Sequence, residues 1–177
     1  HGAALPDDIR IDLWVHADCG PVTLTPSAVS AVGQAIGIHL AERIPHRATL
    51  QAGVGQLPDA VLGQLRSHRD LGYHAGVFGD AAAQLMQCGA ITNTHKGNDA
   101  GISVTNTVSG SAELYRFVDD NPALEVRHSR YTHDASVISR IHCLHAVNSA
   151  LEVDLTGQVN SESAAGRQRG GIGGLLD

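Results

Sequence analysis

Three times a short apolar run ends at a glycine-bearing turn and gives way to a helical pattern, and this repetition decides the fold class. Ala48–Ala52 runs into Gly53-Val54-Gly55, and a helix follows from Pro58-Asp59 through Val61, Leu62 and Leu65. Leu71–Phe78 ends at Gly79, before a helical Asp80–Gln87 that Gly89 closes as a C-terminal cap. Ile102–Val108 passes through Ser109-Gly110 into a helix over Ser111–Val118. Short apolar runs alternating with helices of ordinary length predict an α/β domain with a mostly parallel sheet flanked by helices. Composition supports this. Aromatic residues make up only 3% and there are 20 glycines. The core is therefore built from Val, Leu, Ile and Ala, which suits strands buried on both faces.

The remaining segments are read in the same way. Ile11–Val15 is a strand-like run broken by Cys19-Gly20-Pro21. Thr25-Pro26 reads as a helix start, with Val29, Val32, Ile36 and Leu40 at helical spacing and Pro45 as the stop. Leu124–Arg127, Ile141–Val147 and Leu151–Leu155 are further strand candidates, with a turn at Asn121-Pro122 and a short helix near Ala135–Ser139. From Thr156 the chain is polar and Gly-rich.

Charge narrows the function classes. Lys plus Arg number 12 against 18 Asp plus Glu, a formal charge of −6. That argues against sequence-independent binding to nucleic acid, which needs clustered positive charge. No apolar run approaches the roughly 20 residues that cross a bilayer, so neither nucleic acid nor membrane is an expected partner. The first residues carry no basic stretch followed by an apolar one, which argues against a signal peptide. Cys19, Cys88 and Cys143 are odd in number and far apart. They form no disulfide framework, and a cytoplasmic location is expected.

In a parallel α/β sheet, ligands sit beyond the carboxyl ends of the strands, so the loops there are the places to look. Gln51–Asp59 contains Gly53 and Gly55 between a strand and a helix, where a ligand can approach backbone N–H groups or where the chain simply turns tightly. Without a third glycine in place it is no dinucleotide fingerprint. Leu71–Asp80 carries His74, either a general base or a hydrogen-bonded structural residue. Ser109–Tyr115 repeats the strand–glycine–helix junction at Gly110. Asn148–Glu162 is dense in hydrogen-bonding side chains, which hold a polar ligand or pin a turn. His128, His133, His142 and His145 crowd in sequence, but there is no HExxH and no Cys/His quartet with zinc spacing, and no metal is expected. No Ser sits in a GxSxG elbow.

Four segments in order resemble the second half of the acetyl-CoA hydrolase/transferase family, which includes 4-hydroxybutyrate CoA-transferases. They are Thr49-Leu50-Gln51-Ala52-Gly53-Val54-Gly55 with Pro58-Asp59-Ala60-Val61, and Asp70-Leu71-Gly72-Tyr73-His74. Gly110-Ser111 with Leu114-Tyr115 and Asn121-Pro122 comes next, and then the long stretch from Asn148 to Asn160. The resemblance runs from about Val32 to Gly174. It implies a single CoA-transferase-like domain of the C-terminal type over 1–177, with a lead-in over about 1–26, a core over 27–177, and the family's first domain not in this chain.

The resemblance further implies a coenzyme A thioester as substrate or ligand, with no permanently bound cofactor. Gln51, Gly53, Gly55, Gly110, Asn148, Gly157, Gln158, Gly173 and Gly174 are the expected CoA-contacting positions. A homo-oligomer or a partner chain supplying the other half is expected. In such enzymes a Glu carboxylate attacks the thioester and forms an acyl-glutamyl anhydride. That Glu lies two residues beyond the His of the Leu-Gly-x-His stretch, where this chain has Gly76. Asp80, four residues on, reads as the start of the next helix, and Leu175 stands where the family's Gly-Gly pair is usually followed by Gln. Ping-pong CoA transfer through a glutamyl intermediate is therefore not expected. Two readings stay open. One is acyl-thioester processing with His74 as base; the other is a non-catalytic CoA-binding or partner subunit.

Overall fold

The structure is a computed structural model describing residues 8–25 and 28–170. Its centre is a five-stranded, wholly parallel sheet of order β4-β3-β2-β1-β5. The strands are β1 (Thr49–Ala52), β2 (Gly72–Phe78), β3 (Ser103–Val108), β4 (Leu124–Val126) and β5 (Leu144–Val147). The chain builds outward from β1 to β4 and then returns to lay β5 against the other side of β1. The order thus reverses at the β1–β5 boundary, and the crevice beyond those two strand ends is where this class of sheet binds ligands.

Helices α1 (Ala31–Ala41), α2 (Gln56–Gly63), α3 (Asp80–Gln87) and α4 (Ala112–Val118) succeed one another as neighbours. Leu50, Val61, Leu65, Leu71, Tyr73, Phe78, Leu85 and Leu114 are among the side chains of the single core cluster. The short turns α5 (Ser129–Thr132) and α6 (Ala135–Ile138) follow β4, and α5 lies against β2 and β3. Residues of β2 alternate between the two sides. Tyr73 and Ala75 enter the core, whereas His74 and Gly76 face α5 and the residue that ends it.

Several sequence expectations are corrected. Ile11–Val15 pairs with no strand; this segment is exposed and bends at Asp12, and further along Leu24 N–H donates to the Gly110 carbonyl at 2.8 Å. The first helix starts at Ala31, not at Thr25-Pro26, because extended Ser30 caps it by accepting from Gly33 N–H at 3.1 Å; Pro26 lies outside the described residues. Its buried face is Gly33 and Gly37, while Val32, Ile36 and Ile38 are exposed. A Cβ at Gly37 would lie 2.7 Å from the Ala60 carbonyl oxygen, so α1 and α2 meet backbone to backbone. α2 starts two residues before Pro58, since Gly55 adopts φ +120° as its cap.

β5 begins only at Leu144, after Cys143 turns with φ +49°. Leu151–Leu155 contributes only β6 (Glu152–Val153), which pairs antiparallel with β7 (Val159–Asn160) outside the main sheet. A second small hairpin joins β8 (Ser163–Ala164) to β9 (Arg167–Gln168), which polar, Gly-rich composition does not announce. Among the described residues, no helix is long and apolar enough to cross a membrane.

Candidate active site

The crevice at the strand-order reversal is a cavity of about 300 Å³ lined by Gln51, Gly53, Gly76, Asn106, His133 and Asn148, among others. β1 and β5 bring two amides to its rim. Gln51 Nε2 donates to Asn148 Oδ1 at 3.4 Å and Asn148 Nδ2 donates to Gln51 Oε1 at 3.2 Å, so each holds the other across the strand boundary. Each NH₂ keeps one N–H free of that pair. Tyr73 fixes the strand ends from the core side. Its hydroxyl lies 2.7 Å from the Val77 carbonyl and 3.2 Å from that of Ala52, and burial, followed by the charge of Asp59, pushes its pKa up.

Gly76 forms part of the crevice wall in β2, between the residues paired with Thr105 and Thr107, and therefore beside Asn106. It carries no carboxylate. The space its side chain would take is bounded by His133: an added Cβ would lie 3.1 Å from His133 Nε2 and 3.2 Å from Cε1. His133 follows α5, a single turn too short to hold its own position, so tertiary bonds set its place. His74 Nε2 lies 3.0 Å from the Thr132 carbonyl, Tyr131 donates to Asp99 Oδ2 at 2.8 Å, and the His133 N–H donates to the Ser129 carbonyl. Arg127 bridges Asp99 at 2.7 Å and Glu125 at 2.6 Å while its guanidinium stacks 4.5 Å over the Tyr131 ring. His133 Nδ1 lies 2.8 Å from the hydroxyl of Thr132, which leaves Nε2 directed at Gly76.

His74 is outside the crevice lining and only 2% exposed. A carbonyl only accepts, so the neutral ring carries its proton on Nε2, and the buried Nδ1 is left without a partner. Burial holds its pKa below the ordinary histidine value, partly opposed by the Thr132 bond. Its geometry is that of a strut under α5. Lys96, the only lysine in the chain, is 1% exposed beneath the same region and donates to the Ile102 carbonyl at 2.8 Å. Burial lowers its pKa to about 8, with nearby Asp99 pulling the other way.

Gly55 and Gly110 line a separate hollow of about 240 Å³ together with Asp59 and Asp80. Asp80 accepts from the Ser111 N–H at 3.0 Å and from the Ser111 hydroxyl, so it ties α3 to α4 and does not stand in at Gly76. Burial and then the charge of Asp80 raise the pKa of Asp59. A pair of carboxylates makes this hollow a poor seat for phosphate. Gly157 and Gln158 belong to the β6–β7 turn. There Asp154 Oδ1 accepts from Thr156 and Gln158 N–H groups at 2.8 and 3.0 Å, and Gly157 takes φ +89°. Asp154 thus pins the β6–β7 turn. Gly173, Gly174 and Leu175 lie outside the described residues. Among the described residues, no group of three or more His, Cys, Asp and Glu side chains is placed to hold a metal ion.

The crevice thus gathers Gln51, Gly53, Gly76 and Asn148 from the expected positions and adds Asn106 and His133, which the sequence reading did not single out for this site. The Acetyl-CoA hydrolase/transferase C-terminal domain matches residues 110–177. A succinyl-CoA:acetate/propanoyl-CoA:succinate CoA transferase of Fasciola hepatica is 38% identical over 155 residues, covering 87% of this chain and 32% of that protein. The chain belongs to the acetyl-CoA hydrolase/transferase family. A 4-hydroxybutyrate coenzyme A transferase of Clostridium kluyveri is 37% identical over 94% of this chain and 39% of its own length. A solved 4-hydroxybutyrate CoA-transferase from Porphyromonas gingivalis superposes with TM-score 0.75 at 36% identity, covering 78% of this chain and 35% of that one. The chain spans about a third of the length of these relatives, and its CoA-transferase-like α/β fold is theirs.

Proposed function

We propose that this C-terminal-type domain processes acyl-CoA thioesters in the cytoplasm without a glutamyl intermediate. The observation that carries the reading is Gly76. It lies in the wall of the switch-point crevice, where the family resemblance puts the nucleophilic carboxylate, and the crevice around it remains open and lined with amides. A thioester carbonyl seated there would meet the spare N–H groups of Gln51 and Asn148, donors suited to an oxyanion. No covalent acyl or CoA adduct can form on a residue without a side chain. The bare Gly76 also favours a second reading, a CoA-binding or partner subunit without turnover.

Free thiol release from a panel of short acyl-CoAs, with and without acetate, separates the two. Wild type is compared with Gly76→Glu, made alone and with His133→Asn to give the new side chain room. Acetate-independent release by the wild type supports processing without the anhydride. CoA binding without release supports the second reading, with turnover restored only when the carboxylate is supplied. Absence of any CoA or acyl-CoA binding refutes both.

A further inference from the structure

The geometry points to His133 as the proton-transferring residue of this crevice, with water as the acyl acceptor. The inference rests on the proposed acyl-thioester reading and goes beyond it by naming the base and the acceptor. Two features support it independently of each other. First, His133 is the imidazole among the residues lining the crevice, since His74 is sealed beneath α5. Second, the ring is aimed. The tautomer that donates from Nδ1 to the Thr132 hydroxyl at 2.8 Å leaves the Nε2 lone pair pointing at the empty side-chain position of Gly76. The glycine is what admits the ring, because any side chain at 76 would press on Nε2 and Cε1 at 3.1 and 3.2 Å.

The step balances without a further reactant. Nε2 takes a proton from a water molecule as its oxygen bonds to the thioester carbon, and the carbonyl π pair moves onto oxygen. The tetrahedral adduct collapses with cleavage of the C–S bond, and the imidazolium returns the proton to the departing sulfur, giving a carboxylic acid and CoA thiol. A position that serves a covalent route through a carboxylate would here serve a direct hydrolysis.

The test uses the full chain, with binding of CoA and acetyl-CoA measured by calorimetry and hydrolysis by thiol release, for wild type, His133→Ala and His133→Asn. The expected result is a fall in kcat of about 10²- to 10⁴-fold in both variants, with KM and CoA affinity within about threefold of wild type. Added imidazole should restore part of the rate to His133→Ala and none to wild type. A purely packing role would not produce that rescue. Hydrolysis undiminished in His133→Ala overturns the assignment and leaves the acyl-thioester reading standing. Binding of acetyl-CoA with no hydrolysis by the wild type also overturns it, while supporting the CoA-binding reading. Failure of CoA to bind defeats the reading of the crevice itself. If His133→Ala does not fold, judged by far-UV circular dichroism, His133→Asn retains a group able to bond Thr132 and carries the comparison.

Discussion

Gly76 and His133 are expected to be energetically coupled, and the structure sets the size of the effect. Replacing Gly76 by Ala in an otherwise unstrained strand stabilises a protein by about 0.4–1 kcal/mol, because the unfolded chain loses freedom. Here the new Cβ would stand 3.1 Å from His133 Nε2 and 3.2 Å from Cε1, a few tenths of an ångström inside ordinary contact. The ring cannot yield freely, since its Nδ1 is bonded to Thr132 and the Thr132 carbonyl is bonded to His74. Overpacking of this kind costs about 1–3 kcal/mol. Gly76→Ala alone should therefore destabilise the fold by up to about 2 kcal/mol. In a His133→Ala background the obstruction is gone, and the same change should stabilise by about 0.4–1 kcal/mol. The sign reverses, and the coupling is about 1–3 kcal/mol, within the range seen for residues in contact. Urea unfolding of the four proteins of this cycle measures it; with a slope of about 2 kcal/mol per molar, the two effects of Gly76→Ala differ by about 1 M in midpoint. Equal effects in both backgrounds, to within about 0.5 kcal/mol, would refute the claim that these two residues share one space.

Three further outcomes are expected. Lys96 is protonated in both states below pH 8, so its burial cost is fully present there. Between about pH 8 and its ordinary value of 10.5 the folded state has released the proton and the unfolded state has not, so stability rises with pH by at most about 3 kcal/mol. Urea midpoints from pH 7.5 to 9.5 should climb relative to Lys96→Met; parallel profiles would contradict the buried charge. Tyr73→Phe removes the hydroxyl that serves the Val77 and Ala52 carbonyls and should cost about 1–3 kcal/mol in the same assay, with no change in slope. Ser111→Ala removes the cap of α4, which accepts from Leu114 N–H at 3.2 Å and also binds Asp80, and should cost about 1–2 kcal/mol.

The strands and helices of the central sheet were legible because each is specified by residues adjacent in sequence. Leu71–Phe78, Asp80–Gln87 and Ser111–Val118 carry their own periodicity, caps and glycine stops, and they lie within a residue or so of where those signals put them. Errors came where a different contact outranked periodicity. In α1 the apolar positions Val32 and Ile36 point outward because the close approach of α2 at Ala60 selects the glycine face. Ile11–Val15 has strand composition but pairs with no strand of the sheet. The Asn148–Glu162 stretch reads as ligand site or turn; Asp154 and Asn160 use their side chains in Asx turns, while Asn148 lines the crevice.

The site divides along the same line. Gln51, Gly53 and Asn148 are positions the family resemblance implies, and the parallel pairing of β1 with β5 brings them to one rim. His133 carried no such signal. It follows a four-residue helix whose position depends on Asp99, Arg127, Glu125, Tyr131 and the buried His74, residues scattered over more than fifty positions. His74 reads from the sequence as a candidate base, yet its buried ring lies against the carbonyl of Thr132, the residue before the imidazole that lines the crevice. Gly76 is the pivotal position for that reason. In the sequence it marks only a missing carboxylate, whereas in the fold it is the gap through which His133 faces the site. Under the proposed reading, the bare position 76 and the access of His133 to the crevice have one structural cause, and a substitution at either position alone tests only half of it.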